Sequence, residues 1–540
     1  MKYTIILVAL ITITFSMLRD SFIISDEAVN LQMVKNMTFS DELIVRPSYN
    51  PGGDLDWKKN SAPLIQMTPV LQYIYLFANR VLPGSLIQTS SIVQSLFLLA
   101  LVVVIFLFLR DFKRIEHSGV DIFFISFIPL SYLMLLEHEG MLTVCGFLSL
   151  CLASRGLEKK SKILLMTSGA FLGLSYLAKL WLVGPFIVGF FAILVNSIIR
   201  KEYKISQYPL LMFLVLISFV SVAVSHLYYI NIISPEDIST WIDEIYLGLI
   251  KNSGGAKDKI NNVSYWNQPF YYYFYIFIRD LLGLTPLIVL VILNIKKVWN
   301  RFSLNNYNLA LVFTFLSFIC LSFINTKEPM YILPSLVAFV ILLIKAIESI
   351  EISDNNDVKK SLFVSIPLFV IFASSALIFK FSNTVNSTFL QFQAISFISS
   401  CLYIFLYKVK NIKKSVFFSL LVITLPFTYM LVISERKYQP VIEYINSNKP
   451  VGSSPENPYV VADAYSHIGF KIWNKVQKFD WVLGSTYKSL NIKNLVQSNQ
   501  FKFIVVEKNT KESDTILKIA KELKYKILDF GSLKLIDKSF

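Results

Sequence analysis

Thirteen stretches of this chain are apolar for long enough to cross a lipid bilayer, and that removes most folds from consideration. They fall near residues 3–19, 87–109, 120–136, 140–154, 162–178, 181–199, 208–230, 271–294, 308–324, 330–347, 361–379, 389–407 and 415–433. A bilayer core about 30 Å thick offers no water to backbone N–H and C=O groups, so a crossing segment satisfies them internally as a helix. The run 120–154 would make a helix of about 50 Å at the standard rise, too long for one crossing. Its only polar break is "EHEG" (137–140). The run 162–199 poses the same problem, and "AKLWLVGP" (178–185) places Lys179, Gly184 and Pro185 at its middle. Both runs are expected to fold back as hairpins. The predicted class is a polytopic α-helical membrane protein of about 13 transmembrane helices.

Composition agrees: 54% hydrophobic against 16% charged residues leaves a soluble chain of 540 residues too little polar surface. A net charge of +15 would suggest nucleic acid in a soluble protein. Here the basic residues sit in short loops, where they follow the positive-inside rule and meet anionic membrane lipids, so no nucleic-acid partner is expected. With the N-terminus in the cytoplasm, the inside loops are "RDFKRIEH", "SRGLEKKSK", "RKEYK", "NIKKVWNR", "KAIESIEISDNNDVKK" and "KVKNIKK", each with three or more Lys/Arg. The short outside turns, "EHE", "AK", "NTKEP" and "FKFSN", carry at most one. The first run lacks an A-x-A cleavage site and reads as a retained span. An odd number of spans then places the C-terminus outside a cytoplasmic (plasma) membrane. Cys145, Cys151, Cys320 and Cys401 lie in apolar runs without CxxC spacing and read as small core residues.

Residues 1–433 read as a transmembrane domain with two long outer loops, 20–86 and 231–270. The first loop holds amphipathic stretches such as "PVLQYIYLFANRVL", suited to the membrane surface. Residues 434–540 differ in composition. "YVVADAY", "KFDWVLG", "FKFIVVEK" and "YKILDF" read as strands, alternating with helical "PVIEYINSN" and "ESDTILKIAKELK". That order predicts a small extracytoplasmic α/β domain.

The unexpected polar residues gather on the outer side: Asp26 and Glu27, Glu137, His138 and Glu139, Lys179, Lys327 and Glu328. Singly, each has a plain reading. Asp26–Glu27 reads as a solvated helix end, Lys327 as a lysine snorkelling to the interface, and His138 as a polar turn residue. Lys179 resists this, as the only charge between two apolar runs. An ionised group near hydrocarbon costs about 2.5–3.5 kcal/mol on insertion scales, so such groups line a cavity or find partners. Together they place carboxylates and ammonium groups on one face. Carboxylates serve as general bases or hold a divalent cation. Lysines with tyrosine hydroxyls hold a phosphate or diphosphate.

Six segments, in order over roughly residues 22–345, resemble glycosyltransferases of the GT-C superfamily. "SDEAVNLQMVKNM" resembles the acidic start of their first outer loop, and "NSAPLIQMTPVLQYI" their H/E-x-P-P-L segment. "EHEGMLTVCGFLSLCLA" resembles their second acidic site, and "GLSYLAKLWLVGP" their G-L-A-x-L-T-K-G-P segment. "WNQPFYYYFYIFIRDLLGLTP" and "TKEPMYILPSLVAF" are similar to P-F-Y-Y-Y…L-P-W and T-K-L-P-H-Y-I-L-P-L-x-P-A. With an outer α/β tail, the chain is similar to the branch holding the lipid A aminoarabinose transferase and the protein O-mannosyltransferases.

The resemblance implies an inverting transfer of a sugar from a polyprenyl-phosphate donor to an outer-face lipid, glycan or protein acceptor. It implies Asp26 as general base and Glu139 as the second acidic residue, these two being the candidate ligands for a divalent cation, the one cofactor considered. Lys179 and Tyr331, with Lys327, are implied as donor phosphate ligands. Glu27, Lys59 and His138 stand as further candidates, and Lys251, Lys257 and Lys259 of the second loop as a pool of cations. There are departures. Asn60 stands where relatives carry His or Glu, Ala62 replaces the first Pro, Glu139 replaces Asp, Met330 replaces His, and T-K-G-P reads A-K-L-W. These bear on acceptor and metal more than on reaction class. Two other classes remain. A lipid-linked oligosaccharide flippase or transporter predicts charges deep in many spans and related halves, which the sequence lacks. A surface-polysaccharide polymerase or ligase predicts outer Arg and His clusters, in which this chain is poor.

Overall fold

Small residues decide which helix lies at the centre. The computed structural model describes residues 30–31, 33–34, 37, 70–109, 122, 126, 138–233, 269–303, 305–323, 329–350, 355–378, 387–408, 440–448, 460–463, 480–482, 496–497, 502–507, 511–531 and 533–538. Its first labelled helices are α1 (Val70–Val81) and α2 (Leu86–Leu109), followed by α3 (Glu139–Glu158), α4 (Lys162–Lys179), α5 (Gly184–Ile199) and α6 (Tyr208–Ile233). α3 interleaves Gly140, Thr143, Cys145, Gly146, Ser149, Cys151, Ala153 and Ser154 among its leucines, and all of these are buried. Small side chains let neighbours approach closely, and α3 packs against α2, α4 and α5. α6 is the opposite case. It is apolar all round, and Phe213, Leu216, Ile217, Val220 and Val224 are exposed, the face a membrane helix offers to lipid.

α4 joins the two. Its Gly169 and Gly173 lie against α6 so closely that a Cβ at Gly169 would sit 2.3 Å from the Val215 carbonyl oxygen. α2, α3 and the stretch Ile205–Tyr228 are each long and apolar enough to cross a membrane. The protein is an integral membrane protein.

The second half continues with α7 (Tyr272–Asp280), α8 (Thr285–Leu293), α9 (Ile295–Arg301), α10 (Asn306–Leu321), α11 (Leu333–Ser349), α12 (Asn355–Ile378) and α13 (Ser387–Lys408). Ten of the thirteen apolar runs fall on these helices; runs 3–19, 120–136 and 415–433 lie wholly or almost wholly outside the described residues. Both hairpin breaks are at the expected places. α3 starts at Glu139 with His138 as N-cap. α4 ends at Lys179, and a 3-10 turn (Leu180–Val183) leads to Gly184 and Pro185 at the start of α5.

The run 271–294 is a bent pair, with α7 and the segment Leu282–Leu293 meeting at 52°. A break inside a membrane leaves backbone groups without partners, and here Gln393 of α13 meets them. Its Oε1 accepts from the Gly283 N–H at 2.7 Å and its Nε2 donates to the Asp280 carbonyl at 3.3 Å.

Near the C-terminus β1 (Val460–Asp463), β2 (Asp480–Val482), β3 (Phe503–Glu507), β4 (Lys526–Phe530) and β5 (Leu533–Asp537) form one sheet in the order β2-β1-β3-β5-β4. β1 is parallel to β2 and β3, while β5 runs antiparallel to β3 and β4. Four strands lie within the segments read as strands; β5, "LKLID", was not read. Alternation separates two faces. Ile504, Val506 and Ile536 pack under α14 (Lys511–Glu522) with Ile516, Leu517 and Ala520. Phe503, Val505, Leu533 and Leu535 join Val441 and Ile445 in one buried cluster. The same cluster contains Leu71 and Tyr75 of α1 and Leu31, Met33 and Val34 from the helical residues after position 29. The sheet therefore sits on the segment that leads into the membrane, at the end of the bundle where α3 begins.

Candidate active site

The hairpin geometry brings the site together. α3 and α4 are antiparallel neighbours, so the first residue of one lies beside the last residue of the other. Glu139 opens α3 and Lys179 closes α4, and the Lys179 ammonium donates to Glu139 Oε1. The glutamate side chain is 2% exposed and the lysine 17%. Two charges this far out of water lose several kcal/mol of hydration each, which their mutual attraction offsets only in good geometry.

Lys179 also stands over the ring of Tyr331, 5.3 Å from its centroid. Tyr331 lies in the 3-10 turn Pro329–Ile332 that feeds α11, and α7 packs on that turn. Glu139, Lys179 and Tyr331 are far apart in sequence and adjacent in space.

A second row extends from Glu139. Its neighbour His138 is 3% exposed, and His138 Nε2 lies 3.4 Å from Gln72 Nε2 on α1. Gln72 donates to Asn30 Oδ1 at 3.0 Å and has a longer contact, 3.8 Å, to the Met33 sulfur. The His138 pKa is held down to about 4, first by burial and then by the Lys179 cation, with Glu139 and an Ala178 backbone hydrogen bond acting the other way. The ring is therefore neutral at pH 7, and its Nε2 accepts from the Gln72 amide.

Of the residues singled out from sequence, Glu139, Lys179, Tyr331 and His138 converge. Asp26, Glu27, Lys59 and Lys327 lie outside the described residues, as do Glu328, Lys251, Lys257 and Lys259. Asn30 and Gln72 carry no sequence signal strong enough to find them. Gln72 sits within an amphipathic stretch where it reads as surface, yet it is fully buried. The buried pair Arg279–Asp280 (Nε–Oδ1 2.7 Å) at the end of α7, where the bend begins, also went unmarked. For a metal, Glu139 offers one carboxylate whose Oε1 is already neutralised by Lys179. No group of three His, Cys, Asp or Glu side chains is placed to hold an ion among the described residues.

The other end of the bundle is different in kind. Lys345 is buried against Asn308, Arg301 donates to the Ser349 carbonyl at 2.9 Å, and Lys160 stands over Tyr203. These are braces in the Lys/Arg-rich loops, separated from Lys179 by the length of α4, about 27 Å at the helical rise.

No family model matches the chain, and no curated protein does. Solved structures do. Crystal structures of ArnT from Cupriavidus metallidurans, bound to undecaprenyl phosphate and in the apo state, align over 98% of this chain and 97% and 96% of theirs. Their TM-scores are 0.67 and 0.64, each at 14% identity. The fold is that of ArnT. The likeness runs from end to end of both chains. A cryo-EM structure of the arabinosyltransferase EmbB from Mycobacterium smegmatis aligns over 81% of this chain and 41% of its own, with TM-score 0.46 and 12% identity.

Proposed function

We propose that the protein is an inverting glycosyltransferase that moves a sugar from a polyprenyl-phosphate carrier to an acceptor hydroxyl or phosphate at the outer face of the cytoplasmic membrane. The observation that carries this reading is the Glu139–Lys179–Tyr331 constellation at one end of a GT-C fold. The likeness to ArnT, whose crystal structure holds undecaprenyl phosphate, supports a lipid phosphate as the donor's leaving group.

In this reading the acceptor oxygen attacks C1 of the sugar, the C1–O bond to phosphate breaks, and the acceptor's proton passes to the Asp26 carboxylate. A neutral alcohol is a poor nucleophile, which is why a base is needed. The departing lipid phosphate gains negative charge, which Lys179 and Lys327 offset, with the Tyr331 hydroxyl donating to it. Glu139 keeps the Lys179 ammonium in place before the donor arrives. A phosphate dianion then competes with Glu139 for the same cation, so binding and release are coupled to opening of the pair. If a cation takes part, Glu139 and Asp26 are its candidate ligands. The positive-inside pattern supports a cytoplasmic N-terminus, about thirteen spans, and residues 434–540 as a separate extracytoplasmic unit.

The test is transfer itself. Purified protein in nanodiscs is given a panel of undecaprenyl phosphoryl sugars and extracted outer-surface glycolipids and glycans, with mass spectrometry of products. Sugar-dependent release of undecaprenyl phosphate that disappears in Lys179→Met supports the proposal. Vectorial movement of intact lipid-linked sugar without bond cleavage overturns it in favour of a flippase.

A further inference from the structure

The row Asn30–Gln72–His138 has hydrogen-bonding capacity that the protein does not use. Asn30 is 5% exposed, Gln72 0% and His138 3%, and they come from three separate segments. The Gln72 amide nitrogen serves both neighbours, which fixes the direction of the rest. Its carbonyl Oε1 is left as an acceptor. The His138 ring is occupied on both sides, its Nε2 facing the Gln72 amide and the ring also taking a backbone hydrogen bond at Ala178. On Glu139, Oε2 is a second acceptor. Gln72 Oε1 and Glu139 Oε2 are both buried and without a hydrogen-bond partner among the described residues. Buried polar groups in proteins are nearly always satisfied, and one left unpaired costs about 1–3 kcal/mol. Two such atoms, on neighbouring members of one row, mark a place built for a polar ligand.

The chemistry of the row says which part of a substrate fits. A phosphate needs cationic donors, and the row holds none beyond Lys179 at its end. Two unused acceptors suit neutral hydroxyl groups, each of which has a proton to donate. Position says the same. The row runs from the Lys179–Tyr331 end to Asn30, four residues after Asp26 in sequence. In an inverting displacement the nucleophile enters opposite the leaving group, so the sugar lies between the phosphate ligands and the base.

We infer that Gln72 Oε1 and Glu139 Oε2, with Asn30 and His138 positioning Gln72, form the subsite that reads the ring hydroxyls of the transferred sugar. This rests on the glycosyl-transfer reading above. It makes Gln72 a specificity-determining residue and Asn30 and His138 positioning residues.

The test compares binding of bare undecaprenyl phosphate with binding of a panel of undecaprenyl phosphoryl pentoses and hexoses, in nanodiscs holding the full chain. The wild-type protein is expected to bind at least one sugar-bearing lipid more tightly than the bare phosphate. Gln72→Leu is expected to erase about tenfold of that preference, the scale of one or two neutral hydrogen bonds, with bare phosphate binding unchanged. Retained phosphate binding also shows that the variant is folded. Should Gln72→Leu not fold, Gln72→Asn and His138→Asn are expected to alter the preference in the same direction. A wild-type protein that binds bare and sugar-bearing lipids equally overturns the inference, as does a variant that weakens both by the same factor or neither. A wild-type protein that binds no undecaprenyl phosphate in any form overturns the glycosyl-transfer reading itself.

Discussion

Lys179 and Glu139, 40 residues apart, close an ion pair where the end of α4 meets the start of α3. The pair is a consequence of the hairpin: whatever fixes α4 against α3 fixes the charge relation. Removing one partner of a buried pair leaves the other uncompensated, at a cost of about 3–5 kcal/mol. Lys179→Met should therefore lower both thermal stability and donor affinity, while Glu139→Gln leaves the more exposed of the two charges, the 17% exposed ammonium, and costs less. The double variant should regain much of the stability of Lys179→Met, since no lone carboxylate remains, and none of the donor binding. Unfolding midpoints and undecaprenyl phosphate affinity for all four proteins check this. Unchanged affinity in Lys179→Met would remove Lys179 from the phosphate site.

Asp26 is assigned the proton transfer. Asp26→Asn keeps the size and polarity of the side chain and loses its basicity, so transfer should fall by about a hundredfold or more, the usual range for a general base, while insertion and donor binding stay intact. Single-turnover transfer on donor-loaded protein separates the two. Near-normal turnover would take Asp26 out of the catalytic role.

Much of this was legible in the sequence because the bilayer imposes a length rule that a soluble core does not. Ten apolar runs land on described helices, and both hairpin breaks are where a 30 Å slab forces them. His138, Glu139 and Lys179 could be picked out because a charge or polar turn amid hydrocarbon is costly enough to need a reason, whereas Tyr331 came from the resemblance of "TKEPMYILPSLVAF" to a family segment. Neutral polar residues carry no such penalty on inspection. Gln72 and Asn30 belong to two segments in which polar and apolar residues are mixed, and only the fold reveals that both side chains are buried. Arg279 and Asp280 adjoin in sequence with opposite charges, and nothing local says that the pair is buried. The bend at Gly283 and its closure by Gln393, 110 residues away, is a long-range fact that no local pattern encodes.

Gly169 holds the site in register from a distance. A methyl group there would meet the Val215 backbone carbonyl at 2.3 Å, and backbone of a packed helix cannot swing aside as a side chain does. Gly169→Ala should push α4 away from α6 and cost about 1–3 kcal/mol, the range for overpacked cores. Gly184, whose added Cβ would meet nothing within 4 Å, is the control. Gly184→Ala should unfold at the wild-type temperature. Equal midpoints for Gly169→Ala and wild type would mean that the α4–α6 contact is looser than it stands here.

The sheet carries a built-in pH dependence. Lys538 follows β5, its ammonium donating to the Val496 carbonyl at 3.1 Å and standing over the Tyr525 ring, and burial pushes its pKa from 10.5 down to about 8. Between those values the unfolded chain holds a proton that the folded one has released. Stability of the sheet therefore rises as pH climbs from about 8 towards 10.5, and below pH 8 the folded state carries the full cost of the partly buried charge. Discounted for partial solvent access, that cost is about 1–2 kcal/mol. Lys538→Met removes the charge and should raise hydrogen-exchange protection of the β3 and β5 amides at pH 7 by roughly five- to thirtyfold, as that range of free energy implies. In the variant, protection corrected for intrinsic exchange should be flat between pH 7 and 10, while in the wild type it climbs. A wild-type profile that is flat or falling over this range would show that Lys538 keeps its water when the sheet forms.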